Sequence, residues 1–189
     1  MKKEPRPADA DLTVREKLLE AATDLFNRKG YASATVREIV EAAGVTKPVL
    51  YYYFGSKEGI YLDLMSSAFE SFDRLLEELG GQTGAVRERI LRLADGSYEL
   101  FQQHTAVIRL MHGIYYGPPQ GAPFFDFEVY HQKFESTVER YLSEGIRRGE
   151  FRKGLAREGT WAVIGAVNTA MELELCHPEM AMGRAGLRR

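Results

Sequence analysis

The sequence predicts an all-α fold. Along most of its 189 residues, apolar side chains recur at intervals of three and four, which is the spacing of an amphipathic helix. Alternating runs of β-branched residues, the pattern of a strand, do not occur. Glycine and proline separate the helical stretches, and two of these stretches open with the same capping tetrapeptide, TVRE.

The composition is that of an ordinary globular protein, with 44% hydrophobic and 28% charged residues, so collagen-like and wholly disordered chains are excluded. A single cysteine, Cys176, excludes an intrachain disulfide and a cysteine-rich zinc fold. Residues 1–12 have the character of a flexible polar leader without the apolar region of a signal peptide, and no run reaches the roughly 18 apolar residues of a membrane span. We therefore expect a cytoplasmic protein with no membrane partner.

The net charge of −2 argues against a non-specific polyanion binder. Residues 1–57 contain ten basic and eight acidic residues, whereas residues 58–189 contain fifteen and nineteen. This weak asymmetry permits a nucleic-acid site near the N-terminal end, and other observations must decide whether one exists.

The first predicted helix begins at the TVRE box of residues 13–16. In this box the threonine hydroxyl accepts a hydrogen bond from a backbone amide, and the glutamate reaches back to the amide of the threonine. One face of the helix is apolar, and Gly30 ends the helix because glycine readily adopts positive φ. The residues of that face are Val14, Leu18, Ala22, Leu25 and Phe26.

A second TVRE box, at residues 35–38, opens a short helix that ends at Gly44. Thr46 is placed to cap a third short helix, and Pro48 is tolerated in its first turn because amides there lack helical partners anyway. Gly55 breaks this third helix.

Five longer helices follow in the prediction. The fourth begins after Ser56 and continues to Gly80, and residues 179–189 are expected to form a frayed tail. The other four are expected at Val86–Phe101, Val107–Tyr115, about Phe124–Arg148 and about Ala156–Leu175.

Residues 35–57 contain the strongest functional signal. Two short capped helices joined by a tight glycine turn form the arrangement of a helix-turn-helix, in which the start of the second helix meets base edges. The alternative is a helical hairpin inside a bundle core. A core helix would not normally carry Lys47 and three consecutive tyrosines, Tyr51 to Tyr53, beside only two aliphatic residues. The pattern therefore predicts DNA binding.

The segment TVREIVEAAGVTKPVLYYYFGSKEGI, residues 35–60, resembles the DNA-binding segment of TetR-type transcriptional repressors. The preceding AATDLF of residues 21–26 and the Gly30–Tyr31 pair resemble that family's first helix and its exit. The resemblance covers about residues 13–64. It implies a helix-turn-helix DNA-binding domain over residues 13–57 and a helical ligand-binding and dimerisation domain over residues 58–178.

The resemblance also implies roles for the positions that match the family's motif. The start of the second helix points at the DNA backbone, the start of the third helix is the exposed start of the recognition helix, and two tyrosines and a lysine contact phosphates. Hydroxyls, amides and lysines at helix N-termini suit phosphate oxygens. In that order, the implied DNA-binding residues are Thr35 and Arg37, then Thr46, Lys47, Pro48 and Val49, and then Tyr51, Tyr53 and Lys57.

Two positions depart from the family's pattern. The family often has a second Thr or Ser near Ala34, and often a smaller or hydroxylated residue where Val49 stands. Val49 is therefore expected to meet a thymine methyl group instead of donating a hydrogen bond. Leu50 and Phe54 are expected to be core residues.

The last long helix predicts a homodimer. Residues 159–171 carry no charge around the whole helix, and a helix that is apolar all round is buried on more than one side. A second subunit is the simplest cover for a terminal helix, and the alternative is a central core helix. Gly165, Ala166 and Ala170 would allow close approach, and the resemblance favours a dimer through the last two long helices.

The middle of the chain is rich in aromatic residues, which predicts a small apolar or aromatic effector bound inside one subunit. His112 and Asn168 are the candidates for orienting hydrogen bonds. The alternative is that the rings fill the core and leave no open pocket. The candidate ligand-binding residues are Phe69, Phe72, Phe101, Met111, His112, Tyr115, Phe127, Tyr130, Trp161 and Asn168.

Catalytic and metal patterns are weak, so we expect no catalytic residues, no cofactor and no metal. His104 and His112 are two helical turns apart but have no third nearby ligand. Together the patterns predict a ligand-responsive DNA-binding regulator, a repressor that a small apolar ligand releases from a palindromic operator. The competing class is a helical enzyme or small-molecule carrier without a DNA role.

Overall fold

The computed structural model describes residues 13–188, and every regular element among them is a helix, which confirms the predicted all-α fold. The predicted leader of residues 1–12 and Arg189 lie outside the described residues. In chain order the helices are α1 (Val14–Lys29), α2 (Val36–Ala43), α3 (Lys47–Phe54), α4 (Lys57–Gly80), α5 (Val86–Gln103), α6 (Thr105–Tyr115), α7 (Glu128–Arg147), α8 (Ala156–Cys176), a 3₁₀ turn (Pro178–Met180) and α9 (Gly183–Leu187).

The described chain forms two compact units, and each is built from two separate segments. The N-terminal unit contains residues 13–66 and 106–124, and the C-terminal unit contains residues 67–105 and 125–188. The boundary lies within α4, so the first half of this helix belongs to one unit and its second half to the other. Helix α6 therefore belongs to the same unit as the two short helices that follow α1.

The N-terminal unit has a core to which each of its first four helices contributes a fully buried side chain. These include Leu18 of α1, Ile39 of α2, Leu50 of α3 and Tyr61 of α4. Burial of a large apolar side chain contributes about 1.5–3 kcal/mol. Of the eight residues of α3 only Leu50 is buried, Val49 and Phe54 are half-buried, and the other five are exposed. Phe54 is therefore not the fully buried core residue that the sequence predicted.

The C-terminal unit is organised around the packing of α7 on α8 and of α5 on both. Val86 and Leu93 of α5, Val138 of α7 and Val167 of α8 are buried in one cluster. Tyr141 lies in the same cluster, and its hydroxyl donates to the carbonyl of Leu79 at 3.1 Å.

The same unit also buries an ion pair. Arg89 and Glu144 are joined at 2.7 Å, and the Arg89 guanidinium lies 4.2 Å from the centroid of the Tyr141 ring. The carboxylate and the ring face together compensate the buried cation, which would otherwise be costly.

The structure corrects the prediction in two places. Helix α7 begins at Glu128 and not near Phe124. The Asp126 carboxylate accepts from the Glu128 amide at 3.1 Å, which forms a local turn directly before the helix, and the segment ahead of it stays irregular. The predicted frayed tail is wrong, since residues 178–187 form a 3₁₀ turn and α9. The tail is ordered because the Arg188 guanidinium donates from Nε to the buried carboxylate of Asp95 at 2.6 Å and Arg184 lies 3.4 Å from the same group.

None of the helices within residues 13–188 combines the length and the apolar character that a membrane crossing requires.

Candidate DNA-binding surface and effector region

Both TVRE boxes form reciprocal caps in the structure. In the second box, the Thr35 hydroxyl accepts from the Glu38 amide at 3.3 Å, and the Glu38 carboxylate accepts from the Thr35 amide at 3.0 Å. The Thr35 hydroxyl also donates to this carboxylate, so it is committed to the cap. Any phosphate at this helix end would therefore meet the open backbone amides of the first turn of α2 and not the hydroxyl.

The Glu38 carboxylate is strongly held in its charged form. It pairs with the Lys29 ammonium and accepts the two Thr35 hydrogen bonds, and these contacts lower its pKa from the ordinary 4.5 to about 2. Lys29 is the last residue of α1, so this ion pair also ties the end of α1 to the start of α2.

The arginines of the two TVRE boxes have different partners. Arg15 reaches Asp63 of α4 at 2.6 Å, which joins the first and fourth helices of the N-terminal unit. Arg37 instead pairs with Glu41 one turn further along α2 at 2.7 Å, and this contact raises the pKa of the guanidinium. Both members of the second pair are well exposed, so Arg37 can exchange Glu41 for another anion at little cost.

The turn between α2 and α3 is built as the sequence predicted. Gly44 adopts the left-handed conformation with φ 68°, and its amide donates to the Glu41 carbonyl at 3.3 Å. The Val45 amide then donates to the Val40 carbonyl at 2.9 Å. These hydrogen bonds satisfy the last carbonyls of α2 and direct the chain into α3.

Helix α3 presents most of its surface to solvent. Thr46 occupies the N-cap, its hydroxyl makes no capping hydrogen bond, and Pro48 lies in the first turn. Thr46, Lys47 and Pro48 are exposed, and Val49 is half-buried. The structure thus brings the predicted residues of α3, including the exposed rings of Tyr51 and Tyr53, onto one helix.

Sequence reasoning missed Tyr52, the most exposed aromatic ring of α3. It is 83% exposed, against 50% for Tyr51 and 44% for Tyr53, and its ring packs edge-on against that of Tyr53. A helix turns by about 100° per residue, which puts Tyr52 almost opposite the buried Leu50. This position on the helical wheel could have identified Tyr52 as a solvent-facing residue from the sequence.

Lys57, for which the resemblance implies a phosphate contact, binds backbone carbonyls of its own chain in this structure. Its ammonium donates to the carbonyls of Tyr31 and Ala34, both at 2.9 Å, and lies 3.5 Å from the carbonyl of Ala32. It also lies 4.2 Å from the centroid of the Tyr31 ring. Burial lowers the pKa of this lysine. The structure therefore places Lys57 against the loop between α1 and α2.

Most candidate ligand residues of the C-terminal unit pack against other rings. Phe69 stacks on Tyr130 with centroids 3.7 Å apart, and the ring of Phe127 is 6.0 Å away. Phe72 meets the ring of Phe134 edge-on at 5.6 Å. Phe101 is fully buried beside Tyr98. These contacts agree with the alternative that the rings fill the core.

Three other candidate ligand residues belong to the N-terminal unit. Met111, His112 and Tyr115 lie on α6, which packs in that unit. The His112 ring is 4.7 Å from the ring of Tyr116, and Tyr115 is 51% exposed.

Trp161 and Asn168 are not interior residues, contrary to the prediction. Trp161 is 55% exposed and Asn168 is also exposed, and both lie on the outer face of α8. Ile164, Val167 and Ala170 occupy the opposite face and pack within the subunit. The uncharged sequence of α8 predicted burial on several sides, and in one chain only one of those sides is covered.

One cleft of about 420 Å³ lies in the C-terminal unit between the second half of α4 and α7. Five of its seven lining residues are polar or charged, and two of these, Lys133 and Asp73, form an ion pair at 2.8 Å. The lining residues are Asp73, Leu76, Glu77, Gly80, Lys133, Thr137 and Arg140. Among the residues that the structure describes, there is no cluster of three or more His, Cys, Asp or Glu side chains that could hold a metal ion.

Comparisons with known proteins extend these observations. Residues 18–64 match the family model for bacterial regulatory proteins of the tetR family. The chain is 30% identical over 184 residues to the HTH-type transcriptional regulatory protein RaaS of Mycobacterium tuberculosis, a match that covers 95% of this chain and 80% of that one. It is 27% identical over 162 residues to the HTH-type transcriptional repressor KstR2 of the same species, covering 79% of each.

Other relatives match over a shorter region. The match to the probable HTH-type transcriptional regulator YttP of Bacillus subtilis is 29% identical and spans about half of each chain, 53% of this one and 50% of that one.

Solved structures share the fold at lower identity. The TetR family transcriptional regulator PfmR of Thermus thermophilus superposes with a TM-score of 0.71 at 23% identity, over 91% of this chain and 92% of that one. AibR, solved in complex with isovaleryl coenzyme A and operator DNA, superposes with a TM-score of 0.67 at 17% identity, over 93% and 94%. The capped helix pair, the family model and the near full-length relative agree, and the chain belongs to the tetR family of bacterial regulatory proteins.

Proposed function

We propose that this protein is a ligand-responsive, DNA-binding transcriptional regulator that acts in the cytoplasm as a homodimer and represses its target. The observation that carries the proposal is the outer surface of α3. It presents a lysine, three exposed tyrosines and an N-cap threonine whose hydroxyl makes no capping hydrogen bond, while one leucine of the helix is buried in the core. Such a helix is free to enter a major groove while its domain stays folded. An enzyme or carrier without a DNA role would have no use for this surface.

Each exposed residue of the pair of helices has a proposed part in DNA recognition. Thr46, Pro48 and Val49 lie at the start of α3 and are proposed to meet base edges, and the exposed Lys47 among them is proposed to contact a phosphate at the edge of the groove. Tyr51 and Tyr53 are proposed to donate hydrogen bonds from their hydroxyls to phosphates, and we include Tyr52 in this proposal because its ring is the most exposed of the three. Thr35 is proposed to hold the first amides of α2 toward a phosphate, with Arg37 beside them.

The outer face of α8 supports a dimer. It carries Trp161, Ala162, Gly165 and Ala166, all exposed in the single chain and none of them charged. Small residues let two helices approach closely, and the large indole adds area to bury. A two-fold symmetric dimer would place two α3 helices in successive major grooves of a near-palindromic operator.

The effector is proposed to be an apolar or aromatic small molecule. Support comes from the aromatic residues around Phe69, which pack on one another in this structure. If they separated to admit a ligand, a charged one would leave polar groups unpaired against their rings. The structural neighbour AibR was solved with isovaleryl coenzyme A, a thioester with a short branched acyl group. Release of DNA would follow from a difference in effector affinity between two arrangements of the dimer.

A selection from a random double-stranded DNA pool tests the central claim. The purified chain should enrich a near-palindrome whose half-sites are about one helical turn apart or somewhat more. Sedimentation of the complex should give two chains, or a multiple of two, for each site. Enrichment of no sequence, together with weak retention on heparin, would favour a carrier or enzyme over a regulator.

A panel of compounds tests the effector. Fatty acids, acyl thioesters and hydrophobic dyes are added to the complex with labelled operator, and release is followed by fluorescence anisotropy. At least one apolar compound is expected to release DNA at micromolar concentration. If only a polar metabolite does so, the proposed chemistry of the effector is wrong while the DNA-binding function stands.

A further inference from the structure

Three backbone carbonyls of the loop between α1 and α2 point at one ammonium group. The Nζ atom of Lys57 donates to Tyr31 and Ala34 at 2.9 Å each and lies 3.5 Å from the carbonyl oxygen of Ala32. An ammonium has three donors and no acceptor, so these carbonyls account for all of its hydrogen bonds. The ammonium also lies over the ring of Tyr31, at 4.2 Å from the centroid.

The same loop is held from its other side by a side chain far along the sequence. The Tyr31 amide donates to Oε1 of Gln120 at 3.2 Å, and Nε2 of Gln120 donates to the carbonyl of Gly113 at the end of α6. The ring of Tyr31 packs against Phe26 and Tyr61. Tyr31 is thus fixed at its amide, its carbonyl and its ring.

The position of this loop determines where α2 starts. Ala34 is buried, its carbonyl is bound to Lys57, and the next residue, Thr35, is the N-cap of α2. A shift of the Ala34 carbonyl would move the Thr35 cap and redirect the open amides of the first turn of α2. In the proposed function these amides face a DNA phosphate.

We propose that Lys57 is a positioning residue, which fixes the loop between α1 and α2 through its three carbonyls and does not itself contact DNA. A contact with phosphate would require the ammonium to leave three carbonyl acceptors and the face of a ring at once. Lys47 differs, because it lies exposed at the first position of α3. The proposal rests on the proposed DNA-binding function, and it assigns the two lysines opposite roles.

The salt dependence of operator affinity separates the two roles. Each phosphate contact by a lysine contributes about 0.9 to the slope of log affinity against log salt concentration. In Lys57→Met the affinity is expected to fall about tenfold at every salt concentration. The slope is expected to change by less than about 0.3, a third of the contribution of one phosphate contact. The matched control, Lys47→Met, is expected to lower the slope by about 0.9 for each subunit.

Gln120→Leu provides a second variant that removes no charge. It frees the Tyr31 amide from the other side of the loop, so it should lower operator affinity with an unchanged slope, as Lys57→Met does. If Lys57→Met lowers the slope as much as Lys47→Met does, Lys57 is a phosphate contact and the proposal is overturned.

Measurements without DNA keep the proposal independent of the DNA-binding function. Amide exchange of residues 31–38 should become at least tenfold faster in Lys57→Met and in Gln120→Leu and stay unchanged in Lys47→Met. In the wild type labelled with ¹⁵N-lysine, the Lys57 ammonium should give a slowly exchanging signal that addition of operator leaves in place. Loss of this signal on binding, or unchanged exchange in Lys57→Met, contradicts the positioning role, whereas failure of the wild type to bind any DNA contradicts only the proposed function.

Discussion

Helices α3 and α8 both leave an uncharged face open to solvent, but the two faces differ in chemistry. That of α3 is made of large rings with hydroxyl groups, Tyr51, Tyr52 and Tyr53, beside the lysine at the start of the helix. That of α8 carries one indole, Trp161, among small residues such as Gly165 and Ala166.

The difference indicates two kinds of partner. Hydroxyl groups on rigid rings can donate to phosphate oxygens and need no apolar cover, so α3 can remain exposed in the free protein. A stripe of small apolar residues offers no such hydrogen bonds and gains stability only when another surface packs on it. Exposure alone would not have separated these faces, whereas the type of side chain does.

The largest effect is expected from a charge on the α8 face. In Gly165→Glu the new side chain starts in open space, because a Cβ at Gly165 has no neighbour within 4 Å in its own subunit. The subunit should therefore fold, while dimerisation weakens by at least about 100-fold, or about 2.8 kcal/mol, since a carboxylate would be buried unpaired. Sedimentation equilibrium measures this change.

Gly165→Ala is the matched control and should leave the dimer intact, because a methyl group finds open space in the chain. Operator affinity should follow the dimer and be lost in Gly165→Glu. A Gly165→Glu variant that sediments like the wild type would remove α8 from the proposed interface.

The second-largest effect is expected where the tail, residues 178–188, packs on the C-terminal unit. Helix α9 packs on α8 and α5, and Arg188 of the tail binds the buried Asp95. Asp95→Asn should lower the free energy of unfolding by about 2 kcal/mol, because it leaves the charged hydrogen bonds unmade. Urea unfolding measures the loss, and operator affinity below the transition should be unchanged if α9 serves stability alone.

Asp95 also gives this stability a pH dependence. The hydrogen bond from Arg188 lowers the pKa of Asp95 below its ordinary 3.8, so the contribution is complete above that value and declines as the pH falls below it. In Asp95→Asn this part of the pH dependence should be absent.

An intermediate effect is expected at the centre of the α3 face. Tyr52→Ala should weaken operator binding about tenfold, or about 1.4 kcal/mol, without changing the oligomeric state. Tyr52→Phe separates the hydroxyl from the ring, and a smaller loss is expected for it. Fluorescence anisotropy gives the affinities, and an unchanged affinity in Tyr52→Ala would show that this residue does not contribute to DNA binding.

The smallest effect concerns the N-terminal cap of α2, formed by Thr35 and Glu38. Because the Glu38 pKa is about 2 in the folded state and 4.5 is its ordinary value, the folded protein binds fewer protons than the unfolded protein between these values. The stability contribution of this cap is therefore present above about pH 4.5 and is lost as the pH falls through about 2. The Glu38 carboxyl resonance should titrate in that low range, and a midpoint near 4.5 would show that the cap is open in solution.

Local features of the sequence predicted the helix-turn-helix well. The TVRE boxes, Gly44 and Pro48 act within a few residues of themselves, so their effect on the backbone can be deduced from spacing. Tyr52 was also within reach of this reasoning. Its place opposite Leu50 follows from the helical repeat.

Features that depend on distant partners could not be predicted in this way. The carbonyls that bind Lys57 lie 23 to 26 residues away, and Arg188 lies 93 residues from Asp95. The sequence alone does not show that these distant residues are in contact. The uncharged pattern of residues 159–171 predicted a helix buried on more than one side. In the single chain only one face of this helix is buried, and the pattern could not show that Trp161 would lie on the face that the chain leaves open.

The bond between Tyr31 and Gln120 has a consequence for the order in which the protein folds during synthesis. These residues are 89 positions apart, and nearly half of the intervening chain, residues 67–105, belongs to the other unit. The unit that contains α3 therefore cannot complete its packing when residue 66 leaves the ribosome, and it must wait until residue 124 has been made. Long-range closure of this kind slows folding, because chain entropy is lost before the contacts that compensate for it can form. A nascent chain arrested between these two points would carry the whole of α1 to α3 yet lack the side chain that secures the loop joining α1 to α2.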